Sequence, residues 1–366
     1  MPGIPDRVLG LIKSSGLNRH AFAQEIGLDD SKLSKSLSGT RRFSSLDLAR
    51  IADRFEVTVD WLITGEEPPL AVAARTTSGD AHTALEAAKR YTTMRGDLAS
   101  LGWPQPWRPV PAAASGTYAE QGRALARSAL DLAAKASRSI NEADLPSLTE
   151  EVFGADVAIV ALAEGFDGLA ASSDDAKLIV LGTSPVPARQ RFTLAHELGH
   201  LIAGDDQGVH LDRDIYDKAQ VKDPSEQRAN SFASAFLMPE IILREAVGSA
   251  GLTEADFAGL ACDLKVTPSA LAFRLKDLRL IDMGMCDRFR PLSAAKAASI
   301  ARRGEELAQR VALASAPRLP GLLLRDTYAA YEAGATTLRP YANLLGADVD
   351  ELKQALESEQ GATGVS

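Results

Sequence analysis

The 366-residue chain has little cysteine, few aromatic side chains and no long apolar run. Its two cysteines, Cys262 and Cys286, are too few and too far apart for a disulfide framework or a zinc site of the CxxC type, which fits a reducing compartment. Apolar stretches such as 157–163 are strand-length, well short of the roughly 18 residues that cross a bilayer. The N-terminus does not follow the plan of a signal peptide. We therefore expect a cytoplasmic protein without a membrane partner.

Positive charge is also in short supply, because 40 Lys and Arg stand against 49 Asp and Glu, for a formal net charge of −9. This balance argues against a protein that coats nucleic acid through bulk positive charge. The deficit is uneven, since residues 1–65 carry a net charge of +1 and the remaining chain −10. With about 150 residues per domain as a prior, the length predicts two or three domains, one of which can still bind DNA.

Residues 1–65 are predicted to form five short helices separated by capping residues. Asn18 and Asp29 are typical N-caps, and Gly27 and Gly39 are typical helix terminators. The short connection between the second and third helices is the layout of a helix-turn-helix domain, although a generic helical bundle has similar spacing. Basic side chains concentrate on or just after the third helix, where a recognition helix would meet phosphates: Lys32, Lys35, Arg41 and Arg42.

The stretch from Arg19 to Gly65, with VTVDWLITG at its end, resembles the phage-repressor-like (XRE, or Cro-like) helix-turn-helix family. The resemblance implies two groups of contacts with operator DNA: Asp30, Ser31 and Lys35 at base edges, and Arg19, Arg41 and Arg42 at phosphates. Such domains more often carry Ser and Gln where this chain has Asp29 and Asp30. Two acids there predict weak nonspecific binding and a need for a homodimer or a restricted site.

The segment SPVPARQRFTLAHELGHLIAG, at 184–204, carries the clearest chemistry. It follows two predicted strands, 157–163 and 177–182, and is predicted to be helical from about Pro187 to Ala203. Residues four apart share a helix face, so His196 and His200 direct two imidazoles at one point, as a zinc ion requires. Glu197 can reach a water at the metal and act as general base. Chance yields on the order of 0.005 such patterns in a chain with this little histidine, so we interpret it as a metal site.

A third ligand must come from the downstream acids, which are Asp205, Asp206, Asp212, Asp214, Asp217, Asp223, Glu226 and Glu240. Glu226 falls on the apolar face of a helix predicted to start after Asp223 and Pro224. A carboxylate there is costly unless it is paired or bound to metal. A capping box formed by Asp223 and Glu226 explains the same position equally well. Position alone leaves both interpretations open.

The segments RFTLAHELGHLIAG and EQRANSFASAFLMP together resemble the ImmA/IrrE family of metallopeptidases, over roughly residues 115–245. The resemblance implies that His196, His200 and Glu226 are the metal ligands and that Glu197 is the general base. Family members are site-specific endopeptidases that cut a repressor protein, and some carry a helix-turn-helix domain on the same chain. The implied cofactor is Zn²⁺, although two nitrogen ligands and one oxygen ligand also suit Mn²⁺ or another divalent ion.

Other segments allow two interpretations each. His210 and Tyr216 lie in an acidic loop at 205–217 and are candidates for transition-state or substrate contact, against the simpler alternative of a solvated loop. The segment GWPQPWRPVP at 102–111 is either a lid or a loop that packs its tryptophans on the adjoining domain, and we favour packing. For helices around 252–281 we favour packing against the peptidase domain over DNA contact.

The sequence thus predicts a multidomain, mainly α protein with a small α+β part. We expect a five-helix helix-turn-helix domain at 1–65, a linker and helix at 66–114, a zincin-like metallopeptidase domain at 115–245, and a helical region with helix-turn-helix-like pairs at 252–358. The expected function is a DNA-binding regulator whose endopeptidase domain cleaves a repressor or the chain itself. The alternative is a non-proteolytic transcription factor or antitoxin whose peptidase-like domain senses a ligand or binds a partner.

Overall fold

The computed structural model describes residues 3–15, 17–55, 57, 62–63, 79–111, 115–161, 167–205, 209–212, 223–248 and 251–363. The chain divides into two compact units, residues 1–71 and 72–366. Most described residues are helical, and a four-stranded sheet lies in the second unit, which agrees with the predicted mainly α class. Within these ranges, no helix combines the length and the apolar character needed to cross a membrane.

The first unit contains four named helices: α1 Ile4–Ser14, α2 Arg19–Glu25, α3 Asp30–Leu37 and α4 Ser45–Phe55. The predicted caps are confirmed, because the side chain of Asn18 accepts from the amide of Ala21 and that of Asp29 accepts from the amide of Lys32. Phe22 stacks on Phe55 with ring centroids 4.4 Å apart, at the centre of the apolar core. Leu62 is buried in the same core, whereas Val59 and Trp61 of the predicted fifth helix lie outside the described residues.

The second unit is built from fourteen named helices and four strands. In chain order they are α5 Gly79–Ser100, α6 Tyr118–Lys135, α7 Leu145–Phe153, β1 Asp156–Val160, β2 Gly168–Ser172, β3 Lys177–Gly182, α8 Pro187–Ala203, β4 Val209–Asp212, α9 Pro224–Leu237, α10 Glu240–Val247, α11 Glu254–Leu264, α12 Pro268–Asp277, α13 Met283–Phe289, α14 Ala294–Ile300, α15 Gly304–Ala314, α16 Gly321–Glu332, α17 Arg339–Leu345 and α18 Val349–Thr363.

The sheet has the strand order β1-β3-β2-β4, with β1 parallel to β3 and the other two pairs antiparallel. The sequence predicts β1 and β3 but misses β2 and β4. Strand β2 reads GLAAS and has no β-branched residue, so it lacks the usual strand signal. The glycine that begins it has a packing reason, because a Cβ at Gly168 would lie 2.8 Å from the methyl group of Thr193 on α8.

Several predicted boundaries are wrong by part of an element. The strand expected at 157–163 ends at Val160. The helix expected to reach Ile140 ends at Lys135, and Ser137 then adopts the left-handed conformation with φ +57°. Ile140 is nevertheless buried, which explains why its apolar character extended the helical pattern. Helices α11 and α12 contribute to the same apolar core as α8, so the favoured packing interpretation is confirmed.

Helix α5 is attached to the sheet by a buried ionic network. The guanidinium of Arg95 is 1% exposed and donates to Asp156 on β1 at 2.9 Å and to Asp326 on α16 at 2.7 Å. After α5, Trp107 packs against the core, and Gly154, with φ +75°, allows the backbone of Pro106 to approach closely. The segment 102–111 therefore packs on the second unit, as favoured over a lid.

Close helix contacts bring α6, α8 and α9 together. A Cβ at Gly199 on α8 would lie 3.0 Å from the ring of Phe232 on α9. A Cβ at Gly122 on α6 would lie 2.9 Å from the amide of Phe232, and its closest approach would be to the carbonyl of Arg228. Glycine at 122 therefore permits the close approach of α6 to α9, and glycine at 199 eases the approach of α8 to α9.

Candidate metal centre

Helix α8 is a buried helix that carries His196, Glu197 and His200. Pro187 occupies its first turn, and Gly204 ends it in the left-handed conformation with φ +65°. His196 and Glu197 are fully buried and His200 is 3% exposed. Polar side chains this deeply buried require hydrogen-bonding or ionic partners, so the residues packed against the helix indicate their role.

Helix α9 supplies the third candidate ligand. The side chain of Asp223 caps the helix by accepting from the amide and hydroxyl of Ser225. The hydroxyl donation to this carboxylate, with the amide donation, lowers the pKa of Asp223 below its usual value. Glu226 instead directs its carboxylate at α8, where its two oxygens lie 3.3 Å from Nε2 of His196 and 3.3 Å from Nε2 of His200. The geometry thus favours the ligand interpretation of Glu226 over the capping box.

The three side chains form one buried cluster whose ligand atoms all lie within 4.8 Å of one another. The two Nε2 atoms are 3.0 Å apart, and each lies 3.3 Å from a carboxylate oxygen of Glu226. Tetrahedral ligands at the usual zinc distances are separated by about 3.3–3.5 Å. Two imidazole nitrogens and one carboxylate therefore have the composition and nearly the spacing of a three-ligand catalytic metal site. These three residues fit a zinc ion.

The carboxylate of Glu226 is held in its charged form. Burial alone would raise its pKa, but the imidazoles of His196 and His200 beside its two oxygens hold the pKa of Glu226 well below its usual value. An ionised carboxylate is the form that a divalent cation binds.

Three further residues adjoin the cluster, and sequence reasoning assigned no site role to two of them. Oδ1 of Asn230 lies 3.1 Å from Nδ1 of His196, and Oδ2 of Asp205 lies 3.5 Å from Nδ1 of His200. Arg228 forms an ion pair with Asp205. The sequence offers Asp205 only as one of the candidate third ligands. The available signal for Asn230 was its position four residues after Glu226, which places both on one face of α9.

The two candidates from the acidic loop are less well placed by the structure. His210 lies in β4, where its backbone pairs with Ala170 on β2. Tyr216 lies outside the described residues. Their roles in substrate contact stay predictions.

Most side chains predicted to contact DNA are exposed on the first unit: Arg19, Asp30, Ser31, Lys32, Lys35 and Arg42. Two of them have close partners, because Asp30 lies 2.6 Å from His20 and Lys32 lies 3.1 Å from Asp29. Arg41 differs from the others, since its half-buried guanidinium donates to the hydroxyl of Ser36 and pairs with Asp47 at 2.8 Å.

The part of the chain that contains this centre is similar to known proteins. Residues 153–276, which include α8 and α9, match the family model described as the IrrE N-terminal-like domain. The comparisons therefore support the metallopeptidase part of the sequence prediction.

Two curated relatives are each described as a radiation response metalloprotease IrrE. The protein from Deinococcus radiodurans is 33% identical over 148 residues, which cover 40% of this chain and 44% of that protein. The protein from Deinococcus deserti is 32% identical over 101 residues, which cover 27% of this chain and 36% of that protein. The chain thus spans less than half the length of these relatives.

Proposed function

We propose that this chain is a transcriptional regulator that binds operator DNA through residues 1–65 and carries a zinc-dependent endopeptidase domain. The domain cleaves a regulatory protein, either a partner repressor or the chain itself in the 66–80 segment. The observation that carries the proposal is the buried convergence of His196, His200 and Glu226 on a helix pair that also bears Glu197. The likeness to metalloproteases over the same residues supports it.

His196, His200 and Glu226 would hold the metal, with Mn²⁺ or another divalent ion as an alternative to zinc. When bound, the ion polarises the scissile carbonyl and lowers the pKa of water. Glu197 takes a proton from the attacking water and delivers it to the leaving nitrogen as the peptide bond breaks. Its position on α8, one residue after a ligand, keeps this carboxylate on the same rigid element as the site.

The DNA-binding half of the proposal is supported by the first unit. Helices α2 and α3 begin at side-chain caps and are joined by a short connection, the arrangement that helix-turn-helix proteins use to present a recognition helix. Lys35 and Arg42 are exposed on and after α3, and Arg19 is exposed at the start of α2. Exposed cations in this arrangement suit contacts with phosphates.

Proteolysis is tested with the purified full chain and the Glu197→Gln variant. Each is loaded with zinc and incubated with the proteome of the source cells, and new protein N-termini are identified by mass spectrometry. We expect termini that appear with the wild type and are lost with the variant or with a chelator. Identical termini with both proteins would contradict a role for Glu197. No metal-dependent cleavage, together with unchanged regulation in cells, would identify the non-proteolytic sensor or antitoxin instead.

The DNA half is tested separately, by selection of bound duplexes from a random pool with the full chain. We expect one enriched sequence whose binding weakens as salt is raised, because phosphate contacts release counterions. Failure to enrich any sequence at low salt would remove operator DNA from the proposed function and leave the peptidase half standing.

A further inference from the structure

The inference concerns the nitrogen atoms of His196 and His200 that face away from Glu226, and it rests on the proposed metal-binding function. We propose that Asn230 and the ion pair of Asp205 with Arg228 are positioning residues for the centre. They hold both imidazole rings with Nδ1 protonated and with the Nε2 lone pairs directed at the metal position.

Asn230 acts on His196. It lies one helical turn after Glu226 on α9, and its Oδ1 is 3.1 Å from Nδ1 of His196. An amide oxygen can only accept a hydrogen bond, so Nδ1 carries the hydrogen and Nε2 of a neutral ring is left as a lone pair. That Nε2 is the atom 3.3 Å from Glu226. One helix therefore contributes both a ligand and the group that orients the ligand opposite.

Asp205 acts on His200 from the other side of the site. The left-handed turn at Gly204 folds the chain back, and the carboxylate of Asp205 lies 3.5 Å from Nδ1 of His200. This contact is electrostatic, and the negative charge of the carboxylate favours a hydrogen on Nδ1, which is the same tautomer that Asn230 selects for His196. Both rings consequently present Nε2 to Glu226, which matches the 3.3 Å distances on the two sides of that carboxylate.

Arg228 stabilises Asp205 in this place, because a buried carboxylate needs a positive charge beside it. The side chain of Asp205 is 3% exposed, and the guanidinium of Arg228 contacts both of its oxygens. Arg228 is held in turn by Oε1 of Gln121 at 3.1 Å and lies over the ring of Tyr118, with 5.7 Å between its central carbon and the ring centroid. Helix α6 thereby supports the partner of His200.

Three substitutions on α9 test the role of Asn230 through metal affinity. Zn²⁺ dissociation constants are measured by competition with a chelator for Asn230→Ala, Asn230→Asp and Gln227→Ala, whose side chain is exposed on the same helix. Loss of an orienting partner typically weakens metal binding by ~10–100-fold. We expect that loss for Asn230→Ala, affinity restored to within about threefold for Asn230→Asp, which keeps the acceptor, and no change for Gln227→Ala.

The ring tautomers give a second readout that needs no metal. Nitrogen-15 NMR of the metal-free protein should show Nδ1–H on His196 in the wild type and a shift towards Nε2–H in Asn230→Ala. Unchanged tautomer and unchanged zinc affinity in a folded Asn230→Ala variant would overturn the inference. A wild type that binds no zinc but shows the expected tautomers would instead contradict the proposed function and leave the positioning role intact.

Discussion

The buried centre between α8 and α9 and the exposed face of α3 place their polar side chains in opposite ways. At the centre, His196, His200 and Glu226 are almost fully buried, and each contacts the others. On α3, Lys32 and Lys35 are exposed, and the partner of Lys32 is its own helix cap, Asp29. Burial makes an unpartnered polar group costly, so folding itself orders the centre. An exposed cation keeps its hydration and gains little from a surface ion pair.

Arg41 shows that the first unit also contains a small buried polar contact. Its half-buried guanidinium links Ser36 on α3 to Asp47 on α4, and Asp47 is 6% exposed. The neighbouring Arg42 is exposed. If burial determines the role of a polar side chain, Arg41 should contribute to stability and Arg42 to ligand binding. The loss of unfolding free energy on substitution should then increase with the burial of the side chain.

The largest effect is expected at Arg95, because its removal leaves two carboxylates, Asp156 and Asp326, without their shared cation. Breaking a buried pair by removing one partner typically lowers the free energy of unfolding by about 3–5 kcal/mol. Arg95→Ala should therefore destabilise the second unit by that amount in denaturant unfolding. Lys89→Ala, an exposed position on the same helix, is the control and should leave the free energy of unfolding within about 0.5 kcal/mol. Equal effects at both positions would refute the burial argument.

The next effect is expected where glycine allows α6 to approach α9. Gly122→Ala should lower the free energy of unfolding by about 1–3 kcal/mol, since the added methyl group overlaps the backbone of α9. In contrast, Gly259→Ala on α11 meets nothing within 4 Å and should stabilise the protein by about 0.5–1 kcal/mol. Thermal or urea unfolding of the two variants measures the difference. Stabilisation by Gly122→Ala would show that α9 is not held at the distance described.

The smallest effect on stability is expected in the first unit. Arg41→Ala should lower its free energy of unfolding by about 1 kcal/mol, a value reduced by the partial exposure of the guanidinium. Arg42→Ala should leave stability unchanged, weaken binding to DNA about equally for all sequences, and reduce the salt dependence by about one phosphate contact. Titration of duplex DNA at several salt concentrations separates the two. Loss of stability in Arg42→Ala with unchanged DNA binding would reverse the assignment.

The sequence predicted the centre better than the fold around it. The motif HELGH predicts that the two imidazoles lie close together, because residues four apart on a helix share one face regardless of the surrounding fold. Glu226 needed more, since its position on the apolar face suits either a ligand or a cap, and only its distance from the histidines separates these. The contact of Asn230 with His196 joins two helices, and the four-residue spacing from Glu226 indicates only that Asn230 shares its face of α9.

The missed strands have a similar explanation. In β2, a Cβ at Gly168 would lie 2.8 Å from the methyl group of Thr193 on α8, so tertiary packing overrides strand propensity at that position. Strand β4 lies within a loop whose many acids indicate solvent exposure when the segment is considered alone. Strand β4 depends on β2, a partner distant in sequence, whereas β1 and β3 are apolar runs that indicate burial by themselves.

The most direct test of the proposed metal centre is the metal content of the purified chain, measured by elemental analysis after dialysis against Zn²⁺. We predict one zinc ion per chain in the wild type and in Glu197→Gln, and loss of the ion in Glu226→Ala, because Glu226 is the proposed ligand and Glu197 the proposed general base. Undiminished zinc in Glu226→Ala, or no bound zinc in the wild type, would contradict a metal centre formed by His196, His200 and Glu226.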